Sequence, residues 1–248
     1  MKKTRGIFIA GTDTGVGKTL ISGAIARGLV KMGMNCGVMK PIETGCRRSK
    51  NNLIPTDAAY LKSAARIDED IEKIAPYTFR PALAPYAIKT QVDHIDLLKI
   101  KRAYMQIQDH CDFMIVEGIG GLLVPLSARL DLIDLIRTLG LPVLLVARSG
   151  LGTLNHSLLT IRYGITHGIS FCGILLNRNK AGKERSEASN IEILHERTGL
   201  PIFGPFPYLK NLVEREETIA RSARCFQRSR SLKNLLVTLA EPLCGGST

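Results

Sequence analysis

The run Gly11-Thr12-Asp13-Thr14-Gly15-Val16-Gly17-Lys18-Thr19 holds the residue types that bind a polyphosphate. Its glycines free backbone N–H groups to turn toward an anion, and a helix starting at Lys18 aims its N-terminal dipole at the same point. The Lys18 ammonium can reach β- and γ-phosphates, and the Thr19 hydroxyl is a hard oxygen donor for Mg²⁺. Five residues, not the usual four, separate Gly11 from Gly17, so the loop is one residue longer than the common phosphate loop. The plain alternative is a glycine-rich turn without a ligand. Placement between an apolar strand and a helical stretch argues against it.

A metal on a phosphate needs an acidic partner. Phe113-Met114-Ile115-Val116 is an apolar run that ends in Glu117, followed by Gly118-Ile119-Gly120-Gly121. Such a strand beside a phosphate loop brings its terminal carboxylate to the metal, and the glycines let backbone approach a ligand closely. Lys40 closes another short strand, ahead of Pro41-Ile42-Glu43-Thr44-Gly45. A cation at that edge faces the crevice where α/β sheets bind ligands, and would stabilise developing negative charge. Asp57 opens a helix after Pro55-Thr56, and on local sequence alone it reads equally as a helix cap. His94, His110, His156, His167 and His195 show no ligand spacing with cysteine or acid. Ser127 and Ser149 have no visible His–Asp partners, so a hydrolase triad finds no support.

The elements that must position these residues alternate. Strands are predicted at 6–10, 35–40, 113–116, 142–147 and 169–176. Helices are predicted at 18–32, 94–110, 132–139, 153–167, 183–197 and near 231–239, with a frayed end from Cys244 to Thr248. Alternation implies βαβ units, hence an α/β fold with a mostly parallel sheet and helices on both faces. The 248 residues read as one domain, 1–248, with a basic extension from about 215. A 45% hydrophobic and 23% charged composition is ordinary for a globular chain. The net charge of +12 is mostly scattered, and aromatic residues make up 5% with no Trp, so base-stacking platforms are scarce and no nucleic acid is expected. The longest core-like apolar run, 141–147, is seven residues where a membrane span needs about 20, and no secretory h-region follows the N-terminus. Six cysteines, none closer than ten residues to the next, exclude a CxxC pattern and fit free thiols in a reducing cytoplasm.

Four segments then occur in the order found in dethiobiotin synthetases: the phosphate loop; Lys40 to Gly45; Val116 to Gly121; and Leu151-Gly152-Thr153-Leu154-Asn155-His156. The chain resembles that family over roughly residues 4–215, and the lengthened loop is a trait of the family. Pro76-Tyr77-Thr78-Phe79 followed by Ala84-Pro85-Tyr86-Ala87 is similar to a further family segment. The resemblance implies a P-loop NTPase-like fold and an ATP-dependent cyclo-ligase of biotin biosynthesis. Such an enzyme joins CO₂ to 7,8-diaminononanoate with Mg-ATP, through a carbamate and a carbamic–phosphoric anhydride, to give dethiobiotin, ADP and phosphate.

By that resemblance Lys18 and Lys40 are catalytic, and Thr19, Asp57 and Glu117 bind Mg²⁺. Thr14 and Thr44 face the substrate, and a homodimer is implied in which Gly152, Thr153, Leu154 and Asn155 offer a helix N-terminus to the substrate carboxylate across the interface. ATP would meet Gly15 to Leu20 and Gly118 to Gly120, with Asn177 and Arg178 at the base, Pro207, Tyr208 and Leu209 bordering it, and Glu214 near the nucleoside. Gly15 stands where the family is often acidic and Arg178 where Asp is common, which leaves nucleotide preference open. Two other classes compete. A cobyrinate diamide-synthase-like ligase usually carries a further glutaminase domain, for which 248 residues leave no room. A ParA/MinD-type switch ATPase usually carries an early signature lysine in the loop, and here no lysine precedes Lys18 in it.

Overall fold

In the computed structural model, residues 5–50, 52–88, 95–210 and 215–241 are described. Strand β1 (Arg5–Gly11) runs into the phosphate loop and helix α1 (Lys18–Lys31). After β2 (Cys36–Met39) come the short β3 (Ile42–Glu43), β4 (Arg47–Ser49) and β5 (Asn52–Ile54), then α2 (Thr56–Ala65), α3 (Ile71–Ile74) and β6 (Tyr77–Thr78). The chain continues through α4 (Leu97–Gln108), β7 (Phe113–Glu117), α5 (Leu132–Leu139), β8 (Val143–Arg148) and α6 (Thr153–Thr166). It closes with β9 (Phe171–Asn177), α7 (Glu187–Thr198), β10 (Ile202–Phe206), α8 (Arg215–Arg228) and α9 (Arg230–Ala240).

Among the described residues six strands form one sheet in the order β10-β9-β8-β1-β7-β2, and every pairing in it is parallel. The side-chain alternation of a strand explains why both faces are apolar. Phe8 and Ala10 of β1, Met114 and Val116 of β7, and Leu145 and Ala147 of β8 enter one core. Their neighbours Ile7, Ile9, Phe113, Ile115, Leu144 and Val146 enter the other. Helices α4, α5, α6 and α7 cover the first face through Ile100, Leu135, Ile161 and Leu194. Helices α1, α8 and α9 cover the second through Ile25, Phe226 and Leu235.

The helix predicted at 132–139 coincides with α5, which Asp131 and Asp134 open as a capping box and Gly140 closes at φ 65°. The helix predicted at 94–110 is shorter. Asp96 accepts from the Leu98 amide and starts the element there, while His94 lies outside the described residues. The helix predicted at 183–197 starts instead at Glu187, after a turn in which the Glu187 amide donates to the Glu184 carbonyl. Cys244 to Thr248 also lie outside the described residues.

The basic stretch after 215 differs most from expectation, being two helices rather than one. Ile219 and Phe226 of α8 and Leu232, Leu235, Leu236 and Leu239 of α9 are buried against Ile21, Ile25 and Leu29 of α1. Each such side chain contributes about 2 kcal/mol of burial. Buried Arg27 ties the group together, donating to the Ala64 and Ser63 carbonyls at 2.8 and 2.7 Å and pairing with Glu216 at 3.3 Å. The Arg5 guanidinium caps the end of α9 through the carbonyls of Leu239, Ala240 and Glu241. No helix among the described residues is long and apolar enough to cross a membrane.

Candidate functional site

Strand order sets the site. Because β7 lies between β1 and β2, the carboxyl ends of these strands place Glu117, the phosphate loop and Lys40 side by side. The loop turns at Gly15 (φ 72°) and Gly17 (φ 100°), left-handed conformations that glycine adopts without the steric cost of a Cβ. Gly17 is the N-cap of α1 and supplies no side-chain cap, so the first amides of the helix stay available to an anion. Lys18 Nζ donates to the Asp13 carbonyl at 3.0 Å. Burial foremost, and the Lys40 charge next, push the Lys18 ammonium down to about 8 despite Glu117, Asp13 and Asp57.

Glu117 is 1% exposed. Its Oε1 accepts from the Thr19 hydroxyl at 2.7 Å and from Lys40 Nζ at 2.6 Å. Lys40 Nζ also donates to the Gly118 carbonyl at 3.2 Å and lies 3.3 Å from Asp57 Oδ2. Burial alone would lower the Lys40 pKa, but Glu117 and Asp57 outweigh it and hold the ammonium above its ordinary value. Glu117 Oε2 is buried with no hydrogen-bond partner. With the Thr19 hydroxyl and Asp57 this is a hard-oxygen donor set that fits Mg²⁺ and leaves positions for phosphate oxygens. Among the described residues no group of three or more His, Cys, Asp or Glu could hold a metal ion; the set here is two carboxylates and a hydroxyl.

These groups open on a cavity of about 330 Å³. Its lining contains Thr14, Gly15, Gly17, Lys18, Thr19 and Leu20 from the loop and α1, with Lys40, Thr44, Asp57, Glu117, Ile119 and Gly120. The sequence-selected residues of the phosphate and metal end therefore meet in one place. Val16 is fully buried beneath the loop and contributes its carbonyl, which accepts from Asn177 Nδ2 at 2.8 Å. Asn177 Oδ1 is buried and unpartnered, an acceptor suited to an exocyclic amine of a base. Asp57 lies in the first turn of α2 with its side chain toward Lys40, and the N-cap is Pro55, so the capping alternative does not hold.

The base side departs from expectation. Arg178 is engaged by Glu187 through two 2.8 Å hydrogen bonds. Glu187 is 1% exposed and also accepts from the Ser149 hydroxyl at 2.8 Å. The Arg178 hydrogen bonds first of all hold the Glu187 carboxyl below its ordinary value. Arg178, Pro207 and Tyr208 line a second cavity of about 440 Å³ with Lys183, Lys210 and Arg221. Leu209 packs instead against the core, and Glu214 lies outside the described residues. Gly152 (φ 91°) begins α6 with no side-chain cap; Thr153 is buried with its hydroxyl 3.3 Å from that of Ser157, Leu154 packs on the core, and Asn155 is exposed. None of these four lines the 330 Å³ cavity.

Sequence reasoning gave no role to Glu43 or Glu187. Glu43 is 2% exposed and lines the cavity. Burial raises its carboxyl pKa, while two backbone amides pull the other way. Its place within the segment from Lys40 to Gly45 was the available signal; Glu187 had none, since its partners Arg178 and Ser149 lie 9 and 38 residues away, at spacings no local pattern marks.

Fold and site together define a P-loop nucleotide-binding α/β protein with a paired lysine and carboxylate beside the phosphate loop. A family profile described as an AAA domain matches residues 5–216. The chain is 38% identical to the ATP-dependent dethiobiotin synthetase BioD of Thermodesulfovibrio yellowstonii over 216 residues, covering 84% of this chain and 90% of that protein. It is 40% identical to the protein of the same name from Endomicrobium trichonymphae over 203 residues, 80% and 90% of the two chains. The chain belongs to the dethiobiotin synthetase family. Among solved structures, the MinC:MinD cell division protein complex of Aquifex aeolicus superposes with a TM-score of 0.58 at 16% identity, over 95% of this chain and 94% of that one, a likeness of fold.

Proposed function

We propose that this chain is an ATP-dependent ligase that closes the ureido ring of dethiobiotin from 7,8-diaminononanoate and CO₂. The observation that carries the reading is the Lys40–Glu117–Thr19 contact beside Asp57, at the mouth of the phosphate loop. In the reaction one substrate amine adds its lone pair to the carbon of CO₂ and, after losing a proton, becomes a carbamate. A carbamate oxygen attacks the γ-phosphorus, and the bond to ADP breaks. The second amine attacks the carbonyl carbon, phosphate leaves with the electron pair of its C–O bond, and the amine sheds a proton. Both amines belong to one molecule, so closure gains from proximity.

The α1 amides and Lys18 would hold the phosphates, and Lys40 would offset charge growing on carbamate and phosphoryl oxygens. Thr19, Asp57 and Glu117 would hold Mg²⁺, which would supply positive charge against the nucleotide phosphates. Asn177 Oδ1 would accept from the adenine amine, with Pro207 and Tyr208 beside the base. Thr14 and Thr44 would bind the diamine end, and a partner subunit's α6 N-terminus its carboxylate. The homodimer this requires is supported by an apolar cavity of about 550 Å³ whose lining includes Leu122, Leu123, Val124, Leu159 and Tyr163, of which Leu123 and Leu159 are exposed. A cytoplasmic location agrees with the five cysteines among the described residues, all of them free.

The decisive experiment supplies diaminononanoate, labelled bicarbonate and Mg-ATP, and follows label into a cyclic urea by mass spectrometry while phosphate is counted. Labelled product with matching phosphate is expected, and Lys40→Ala should lose turnover while still binding ATP. Absence of label from folded, ATP-binding protein would remove the dethiobiotin assignment, and unchanged turnover in the variant would remove the role of Lys40.

A further inference from the structure

The phosphate end of the cavity depends on Asp57, which projects from the first turn of α2. That helix begins poorly on local terms. Its N-cap is Pro55, at φ −77° and ψ 101°, and no side chain of the cap bonds the helix amides. A helix start normally needs a side-chain oxygen there, because its first amides have no intrahelical partner.

The missing acceptor comes from a different part of the chain. Glu43, three residues beyond Lys40, extends its carboxylate to the start of α2. Oε1 accepts from the Asp57 amide and Oε2 from the Ala58 amide, both at 2.9 Å. One carboxylate thus grips two consecutive amides, one of them belonging to Asp57 itself. The Glu43 backbone is fixed as well: its carbonyl accepts from the Phe79 amide at 2.8 Å, and β3 pairs with β6. The Glu43 side chain is therefore a short strut between the strand-end segment that carries Lys40 and the helix turn that carries Asp57. On the other side of the strut, Lys40 Nζ lies 3.3 Å from Asp57 Oδ2.

We propose that Glu43 is a positioning residue, whose carboxylate clamps the first turn of α2 and so sets the Asp57 carboxylate at the metal end of the nucleotide site. The inference rests on the reading of Asp57 as a ligand of the Mg-nucleotide. A metal ligand needs its outer partners held as firmly as itself, and loss of one such partner typically weakens metal binding about 10- to 100-fold. Glu43→Gln keeps the shape but turns one acceptor oxygen into an NH₂ group facing an amide donor. It should leave Asp57 in place chemically and misplace it geometrically.

The test is calorimetric and needs no turnover. ADP is titrated into the intact protein with and without Mg²⁺, for the wild type, Glu43→Gln, and Glu43→Gln combined with Pro55→Asp. The Pro55 position has the extended backbone of an N-cap, so an aspartate there can supply a cap of its own. In Glu43→Gln the gain in ADP affinity from Mg²⁺ is expected to fall about tenfold, with metal-free ADP affinity changed less than about twofold. The added aspartate should restore much of the gain, which a direct contact between Glu43 and ligand would not allow. A wild type whose ADP affinity ignores Mg²⁺ overturns the metal reading and the proposal with it. A normal Mg²⁺ gain in Glu43→Gln overturns the proposal alone, as does failure of the second substitution to rescue a protein that melts like the wild type. Should Glu43→Gln fail to fold, a folded double variant with the full Mg²⁺ gain upholds the proposal, and one without it overturns it.

Discussion

Nucleotide binding should draw a proton into the site, and Lys18 is the group that takes it. In the free protein burial and the neighbouring Lys40 lower its ammonium to about 8 from an ordinary 10.5. At about 1.4 kcal/mol for each tenfold, the charged form is strained by roughly 3 kcal/mol. The unfolded chain holds that proton more tightly, so the cost is present in full below about pH 8. It is relieved as pH rises from 8 toward 10.5. A polyphosphate beside Lys18 removes the strain by favouring the ammonium. At pH 8 half of the free protein carries neutral Lys18, so binding takes up about half a proton. Phosphate groups are already ionised at that pH, and the apparent Kd should weaken about fivefold between pH 8 and pH 9. The assay is ADP titration at pH 8 in two buffers of different ionisation enthalpy, where the difference in observed heat gives the proton count. Lys18→Arg, which stays charged throughout, should abolish this uptake. A proton count near zero in the wild type, or an equal count in Lys18→Arg, would refute the argument.

Two other outcomes follow from local geometry. A Cβ at Gly17 would lie 2.2 Å from Asn177 Nδ2 on a backbone at φ 100°. Gly17→Ala should therefore cost about 1–3 kcal/mol in urea unfolding and over tenfold in ADP affinity. Gly33→Ala is the control: φ is 86° but nothing lies within 4 Å, so it should carry backbone strain without any change in nucleotide affinity. Burial pushes the Cys46 and Cys111 thiols up to about 11. Alkylation of each at pH 8, followed by peptide mass spectrometry, should run about a hundredfold slower in native protein than in urea; equal rates would show those thiols open to solvent.

What the sequence disclosed and what it withheld divide by distance. The phosphate loop, the acid that ends β7 and the capped α5 are local patterns, in which a few consecutive residues carry the whole signal. Strand β10 escaped because Gly204-Pro205 reads as a breaker, and a proline is tolerated in a strand at the sheet edge, where β10 lies. Helix α8 escaped because its apolar stripe is narrow: Ile219, Ala223 and Phe226 lie among arginines and glutamates. Its partner face belongs to α1, some 190 residues earlier. Glu43 and Glu187 are buried carboxylates whose partners are amides of α2 in one case and Ser149 with Arg178 in the other. No periodicity marks such residues, since their value depends on contacts that exist only once the sheet has assembled.

The polar interior at the strand ends is better explained by chemistry than by stability. Lys40 and Glu117 form a buried ion pair, and apolar side chains of similar volume there are often as stabilising or more so, because no charge must leave water. Removal of one partner alone would be costly, typically about 3–5 kcal/mol. The pair is thus a liability for folding that either single loss would enlarge. Unpartnered buried atoms point the same way. Of the five such side-chain atoms among the described residues, Glu117 Oε2, Arg148 Nε and Asn177 Oδ1 belong to residues that end β7, β8 and β9, while Ser22 Oγ and Tyr60 OH lie in α1 and α2. Buried polar atoms seldom remain without partners, and each exception calls for a cause. All three strand-end atoms lie at the carboxyl end of the sheet, on either side of the β1 end that feeds the phosphate loop, and Glu117 lines the 330 Å³ cavity, so a ligand there would meet polar atoms that folding leaves unpaired. The apolar sheet supplies the stability that tolerates this strain, and the strand ends convert it into preorganised charge for phosphoryl transfer.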